Sequence, residues 1–109
     1  MDIQAMMAQA QDLQKKMLEA QEAARAKTVE ATVGGGMVTV VMTGGLEVRS
    51  LKIDPTVVNP DERGMLEDLI AAAVNQAVQK AQQLMTDTVQ EAMGPLAALA
   101  QGGGMPGLF

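Results

Sequence analysis

The stretch Thr28-Val-Glu-Ala-Thr-Val33, Gly34-Gly-Gly36, Met37-Val-Thr-Val-Val-Met-Thr43, Gly44-Gly45 decides the fold. Val29, Ala31 and Val33 alternate with Thr28, Glu30 and Thr32, the period of two that marks a strand with one buried face. Three glycines then supply the positive φ that a tight reversal requires, and the chain returns through a run rich in β-branched residues. Gly44-Gly45 turns it again, into Leu46-Glu-Val-Arg-Ser-Leu-Lys-Ile53. The reading is a three-stranded antiparallel meander within residues 28–53. In its last strand Leu46 and Val48 share one phase, while Leu51 and Ile53 share the other. Either a bulge re-aims the strand, the reading preferred here, or the strand passes from one partner surface to another.

Upstream the period changes. Ile3, Ala10, Met17 and Ala24 recur every seven residues, and Met6, Leu13 and Ala20 form the matching second series. This a/d pattern, free of glycine and proline and rich in strong helix formers, predicts a helix over residues 2–26, about 37 Å long. Alanine knobs contribute little burial, so such a helix must rest against something. Downstream, Asp54-Pro55 ends the sheet. Asn59 as N-cap, Pro60 at the first helical position and Glu62 in a capping box predict a second helix over residues 60–93. Its apolar stripe runs through Leu66, Leu69, Ile70, Ala73, Val74, Ala77, Val78, Ala81, Leu84 and Met85, and Gly94-Pro95 stops it. Residues 1–95 read as one α+β domain: long helix, meander, long helix. Residues 96–109 read as a flexible tail containing glycine and proline.

The 109 residues suit a single domain, and 48% of them are hydrophobic. Yet there are ten methionines and one aromatic residue, Phe109, so the core is expected to be thin. A compact globule of this size is roughly 30 Å across, its radius of gyration being about 13 Å. Both helices exceed that, so a second chain related by a two-fold axis is the simplest completion. The residues assigned to core or dimer packing are Leu13, Met17, Val38, Val40, Leu51, Ile53, Leu66, Leu69 and Ile70.

Cysteine and histidine are absent. Disulfides, thiolate nucleophiles, imidazole bases and most zinc or copper sites are thereby excluded, and no cofactor is expected. A nucleophile drawn from threonine, Ser50 or lysine has no histidine to activate it. The acidic neighbours Asp61-Glu62 and Glu67-Asp68 do not share a helix face, and acids are at home in a first helical turn. Gly34–Gly36 is followed by a strand and not by Lys-Ser/Thr, so it is a hairpin turn and not a phosphate loop. With no signal-peptide core and no long apolar run, the expectation is a cytoplasmic protein without membrane contact.

The formal charge of −5 is unevenly placed. Residues 1–27 carry four basic and four acidic groups, residues 28–60 two and three, and residues 61–109 two and six. A polyanion is therefore expected at the first half, where Lys15, Lys16, Arg25, Lys27, Arg49 and Lys52 lie. Antiparallel pairing would allow Arg49 to face the same side as Lys27. With no aromatic to stack on bases except Phe109, DNA contacts would go to the backbone, with strong salt dependence and little sequence preference.

The chain also closely resembles the YbaB/EbfC family of bacterial nucleoid-associated proteins. The resemblance is carried by Met7-Ala-Gln-Ala-Gln-Asp-Leu-Gln-Lys-Lys-Met17, Gly34-Gly-Gly-Met-Val-Thr-Val40, Gly45, Leu51-Lys-Ile-Asp-Pro55, Leu66-Glu-Asp-Leu-Ile-Ala-Ala-Ala-Val-Asn-Gln-Ala77 and Met105-Pro-Gly-Leu-Phe109. It implies a homodimer joined by its small sheets, with long helices projecting like tweezer arms. It further implies binding of double-stranded DNA, a change in DNA shape, a place in the nucleoid and a link to recombination or repair proteins. The family's positive positions correspond to Lys15, Lys16 and Arg49, while Ser50 stands where a second basic residue is common. The alternative reading is a non-catalytic, dimeric protein–protein adaptor or scaffold with the same link to recombination and repair.

Overall fold

The computed structural model describes residues 2–94. Helix α1 (Ile3–Ala26) leads into strands β1 (Thr28–Val33), β2 (Val38–Thr43) and β3 (Val48–Ile53), then helix α2 (Arg63–Met93). The strands form one antiparallel sheet in the order β1-β2-β3. The tail read at residues 96–109 lies outside the described residues.

Each element has a local cause. Asp2 caps α1, its carboxylate accepting from the Gln4 N–H at 3.0 Å. Gly34, Gly35 and Gly36, at φ 64°, 67° and 98°, make the first reversal in a region closed to most side chains. Thr43 organises the second: its N–H donates to the Glu47 carbonyl at 2.8 Å, and its hydroxyl accepts from the Gly45 and Glu47 N–H groups at 3.2 Å each. Asp54 tightens the turn after β3 by accepting from the Thr56 N–H at 2.9 Å and hydroxyl at 2.8 Å. Those bonds hold its carboxyl below its ordinary value. Their contribution is complete above the ordinary carboxylate range and is lost as pH falls through the lowered value.

Four boundaries differ from the sequence reading. Helix α1 starts at Ile3 and not at residue 2. Met37 precedes β2, and Leu46, at φ 66°, belongs to the turn before β3. The second helix starts at Arg63, not residue 60. Asn59 does cap Pro60, but its side chain accepts from the Asp61 N–H at 3.0 Å and closes a separate 3₁₀ turn, Pro60–Glu62. Glu62 then stands at the start of α2 without a side-chain cap bond, so the expected capping box does not form.

The bulge does form. Val41 faces Ser50 while Met42 faces Val48, so Arg49 is the extra residue in β3. It brings Val48 onto the face already occupied by Leu51 and Ile53, which lie opposite Val40 and Val38. This face is the apolar one. Ala31, Val33, Val38, Val40 and Met42 pack there against Ala73, Ala77 and Ala81 of α2, with Leu66, Leu69, Ile70, Val74 and Val78 around them. The alanines bring α2 close, and the core is one layer thick, as the composition requires.

Close approach has a consequence for width. Helix α2 covers β1 and β2 but scarcely reaches β3. Leu51 and Val48 are left 45% and 51% exposed, and Ile53 is half-buried. On the opposite edge the Lys80 ammonium donates to the Glu30 carbonyl of β1 at 2.8 Å.

Helix α1 packs along α2, burying Ala20 and Ala24 and half-burying Leu13, and meets the sheet chiefly at the β2–β3 turn. There the Ala24 carbonyl sits so near Gly44 that any Cβ would collide with it. Gly44→Ala should therefore cost about 3 kcal/mol in urea unfolding, since backbone faces backbone and neither can yield. Gly64, in the first turn of α2, meets nothing. Gly64→Ala should stabilise by about 1 kcal/mol in the same measurement.

The result is elongated, 71 × 29 × 16 Å with a radius of gyration of 20.0 Å. The expectation that the helices outrun a small sheet is met.

Candidate nucleic-acid interface

The six basic residues singled out from sequence fall into three places. Lys15 and Lys16 lie midway along α1, with Lys16 paired to Asp12 one turn back at 3.4 Å, both side chains more than half exposed. Such a pair is worth little and releases Lys16 readily. Arg25 and Lys27 lie about 16 Å farther along, where α1 joins the sheet. Arg25 occupies the last helical turn and lays its stem on Gly45. Lys27 is the C-cap, and its carbonyl accepts from the Gly44 N–H at 3.1 Å. Both charges sit at the negative end of the helix dipole, a favourable place for them.

Arg49 and Lys52 belong to β3, across the sheet from Lys27 by two strand spacings, about 10 Å. Lys52 pairs with Thr39 on the polar face, beside Thr32, whose hydroxyl lies 3.3 Å from that of Thr39. Arg49 is exposed, and the pairing is antiparallel as expected. The bulge, however, breaks the alternation at Arg49, so strand register no longer places it on Lys27's side. Acids interrupt the set: Glu30 lies on β1 and Glu47 in the turn before β3.

The other two cations are engaged elsewhere. Arg63 pairs with Glu67 at 3.1 Å, and Lys80 holds the edge of β1. Among the described residues no ion pair involves Lys15, Arg25, Lys27, Arg49 or Lys52. The exposed cations left over thus follow α1, the junction and β3, while α2 carries Glu67, Asp68, Asp87 and Glu91. Sequence reasoning assigned Lys80 no task, because its partner lies 50 residues away. Val48 was also missed as part of the apolar face, since the position of the bulge sets its side.

A cleft of about 410 Å³ opens beside Arg25, lined by Gly44, Gly45, Leu46, Gln82, Met85 and Thr86. It offers one cation and no acid, base or nucleophile pair. Among the described residues no group of His, Cys, Asp and Glu is arranged to hold a metal ion.

Similar proteins are known. A Nucleoid-associated protein of Acetivibrio thermocellus is 45% identical over 108 residues, spanning 99% of this chain and 90% of that protein. A Nucleoid-associated protein of Chloroflexus aurantiacus is 45% identical over 109 residues, the full length of both. The crystal structure of uncharacterized protein HP0035 from Helicobacter pylori superposes with a TM-score of 0.72. It covers 86% of this chain and 99% of that one at 19% identity, a likeness of fold alone. The sequence pattern of the YbaB/EbfC DNA-binding family matches residues 1–96, and the chain belongs to that family.

Proposed function

We propose that two copies of this chain join through β3 and bind duplex DNA by phosphate contacts, with little sequence preference, as a nucleoid-associated architectural protein that alters DNA shape. The family is one of DNA-binding proteins and not of enzymes. One observation carries the finer reading: once Arg63, paired with Glu67, and Lys80, bonded to the Glu30 carbonyl, are set aside, every remaining cation among the described residues lies on α1, the junction or β3, away from the acidic α2. Lys15, Lys16, Arg25, Lys27, Arg49 and Lys52 are the contacts proposed. Two-fold doubling sets two such arms on one duplex and raises avidity. Among the described residues there is no aromatic to stack on bases or wedge between them, which fits contact with the backbone.

The dimer reading rests on the open side of β3. Val48, Leu51 and Ile53 present an apolar face that α2 does not cover, at a strand edge with unpaired backbone groups. A place on DNA in the nucleoid accords with the absence, among the described residues, of any helix long and apolar enough to cross a membrane.

An electrophoretic mobility shift on unrelated duplexes across a salt series tests this. With six cations from each of two chains, about twelve phosphates are neutralised, and affinity should fall roughly 10⁶-fold between about 50 and 200 mM salt, similarly for each duplex. The net charge of −5 favours the other reading, a non-catalytic adaptor whose partners come from recombination or repair. A folded dimer that shifts no duplex at low salt would establish that reading instead.

A further inference from the structure

The heptad pattern of α1 continues past the part of the helix that α2 covers. The groove between the helices is lined by Lys16, Glu19, Ala20 and Ala23 from one side and Thr88, Glu91 and Ala92 from the other. The helices are therefore antiparallel, and the last residues of α2 stand near the level of Leu13. The first turns of α1 extend beyond. On them Ile3, Met6 and Met7 are 71%, 53% and 57% exposed. These are large apolar side chains on one stripe, set where no described residue covers them.

We propose that this stripe is an interface with the same stripe of a second copy, the two α1 tips packing antiparallel over residues 2–16. The register follows from the sequence. With Ile3 and Ala10 at a, and Met6 and Leu13 at d, antiparallel packing sets each a against a d of the partner. Ile3 then meets Leu13, and Met6 meets Ala10, each twice by symmetry. The flanking g positions are Asp2, Gln9 and Lys16. In this register Asp2 of each copy lies against Lys16 of the other, and Gln9 lies against Gln9. Two opposite-charge pairs close the ends, while Met7 at e lies toward Met7.

Other arrangements lack this complementarity. Parallel packing sets Asp2 beside Met7 and Gln9 beside Gln14, with no ion pair. Sliding the antiparallel register by one heptad requires Ala20, which α2 already buries. Lys16 stands at the mouth of the groove beside α2, and its pair with Asp12 is exposed and gives way readily to the partner. Lys15 stays on the outer side. Two heptads make a weak association, one that needs a high local concentration. If the proposed DNA binding holds, neighbouring dimers on DNA supply it, and the tips link one bound dimer to the next.

The chain has no cysteine, so a single introduced thiol is a clean probe. Met7→Cys treated with a short bis-maleimide, without DNA, should yield covalent two-chain species, whereas Gln11→Cys, on the outward side, should not. Adding Asp2→Lys or Lys16→Glu to Met7→Cys should each lower the yield about fivefold, because both ion pairs become repulsive. Mixing those two proteins should restore it. The lysine introduced at position 2 of one chain then meets the glutamate introduced at position 16 of the other, while the unaltered Lys16 and Asp2 meet at the opposite end. Only an antiparallel 2-to-16 pairing gives that rescue, and loss of the Asp2 helix cap cannot mimic it. Yields from Met7→Cys no higher than from Gln11→Cys overturn the proposal, as they would if the apolar residues beyond Gly94 covered the stripe in their own chain. A mixture no better than its components overturns it too. Because no DNA is present, a failure of DNA binding leaves this result unaffected.

Discussion

Leu51→Asp should halve the mass of the protein in sedimentation, from dimer to monomer, and weaken duplex binding at least about 100-fold. The side chain is 45% exposed within its own chain, so the far-ultraviolet circular dichroism should stay unchanged. In a two-fold interface one substitution acts twice. Each lost leucine forfeits about 2 kcal/mol of burial, and each introduced carboxylate faces an apolar surface without a partner. The loss of DNA affinity follows separately: a monomer carries one arm and loses the effective concentration that the second arm provides. A Leu51→Asp protein that remains dimeric would remove β3 as the seam. Val48→Asp is the companion variant, because the bulge places Val48 on the same face.

Reversing Lys15, Lys16 and Arg49 to glutamate should abolish most DNA binding while leaving the dimer intact. Six contacts disappear from a dimer, and each contributes about 0.9 to the slope of log affinity against log salt, so the slope should flatten by about five. At about 100 mM salt the affinity should fall by roughly 10³ or more. Arg49 neighbours Val48, so the mass of the variant must be measured alongside its binding. Equal binding by wild type and variant would move the DNA surface away from these three residues without touching DNA binding itself. A uniform loss across unrelated duplexes, by contrast, would mark the contacts as ones to phosphate and not to base edges.

Periodicity made much of this fold legible, because it reports directly on local geometry. The period of two in Thr28–Val33 gave β1 to the residue, and the seven-residue repeat gave α1 to within one. The phase change between Val48 and Leu51 announced the bulge. What periodicity cannot report is how far one element overhangs another. That Leu51 and Ile53 face the apolar side was readable; that α2 stops short of them was not, since it depends on how closely Ala73, Ala77 and Ala81 ride on the sheet. The start of α2 was misread for a related reason. Asn59-Pro60-Asp61-Glu62 has the residues of a helical cap, but the bond to Asp61 closes a single tighter turn, and only the path of the chain afterwards shows it.

The candidate interface was legible as a set of charges and not as an arrangement. Net charge by segment pointed to the first half of the chain, and the cations left after Arg63 and Lys80 find their partners do lie there. Whether a cation is spoken for depends on its neighbours in space: Arg63 has Glu67 within reach along one helix, whereas Lys80 finds a carbonyl on a different element. The a/d stripe of α1 shows the same limit. Ala20 and Ala24 are buried, yet Ile3 and Met6 of the same seam are exposed, because the covering helix ends where the pattern does not.

The bond from Lys80 to the Glu30 carbonyl bears on how such a sheet can grow. A three-stranded sheet has two borders, and if both accepted another strand, copies would add at each end and build an open fibre. Here one border is occupied by a cation anchored in α2, which a newcomer would have to displace. Recruitment would then be confined to the other border, where the two-fold partner proposed above would use up the free strand of both chains at once. Lys80→Ala should accordingly leave the dimer in place and show its effect as slow, concentration-dependent light scattering, the mark of a chain that no longer knows where to stop.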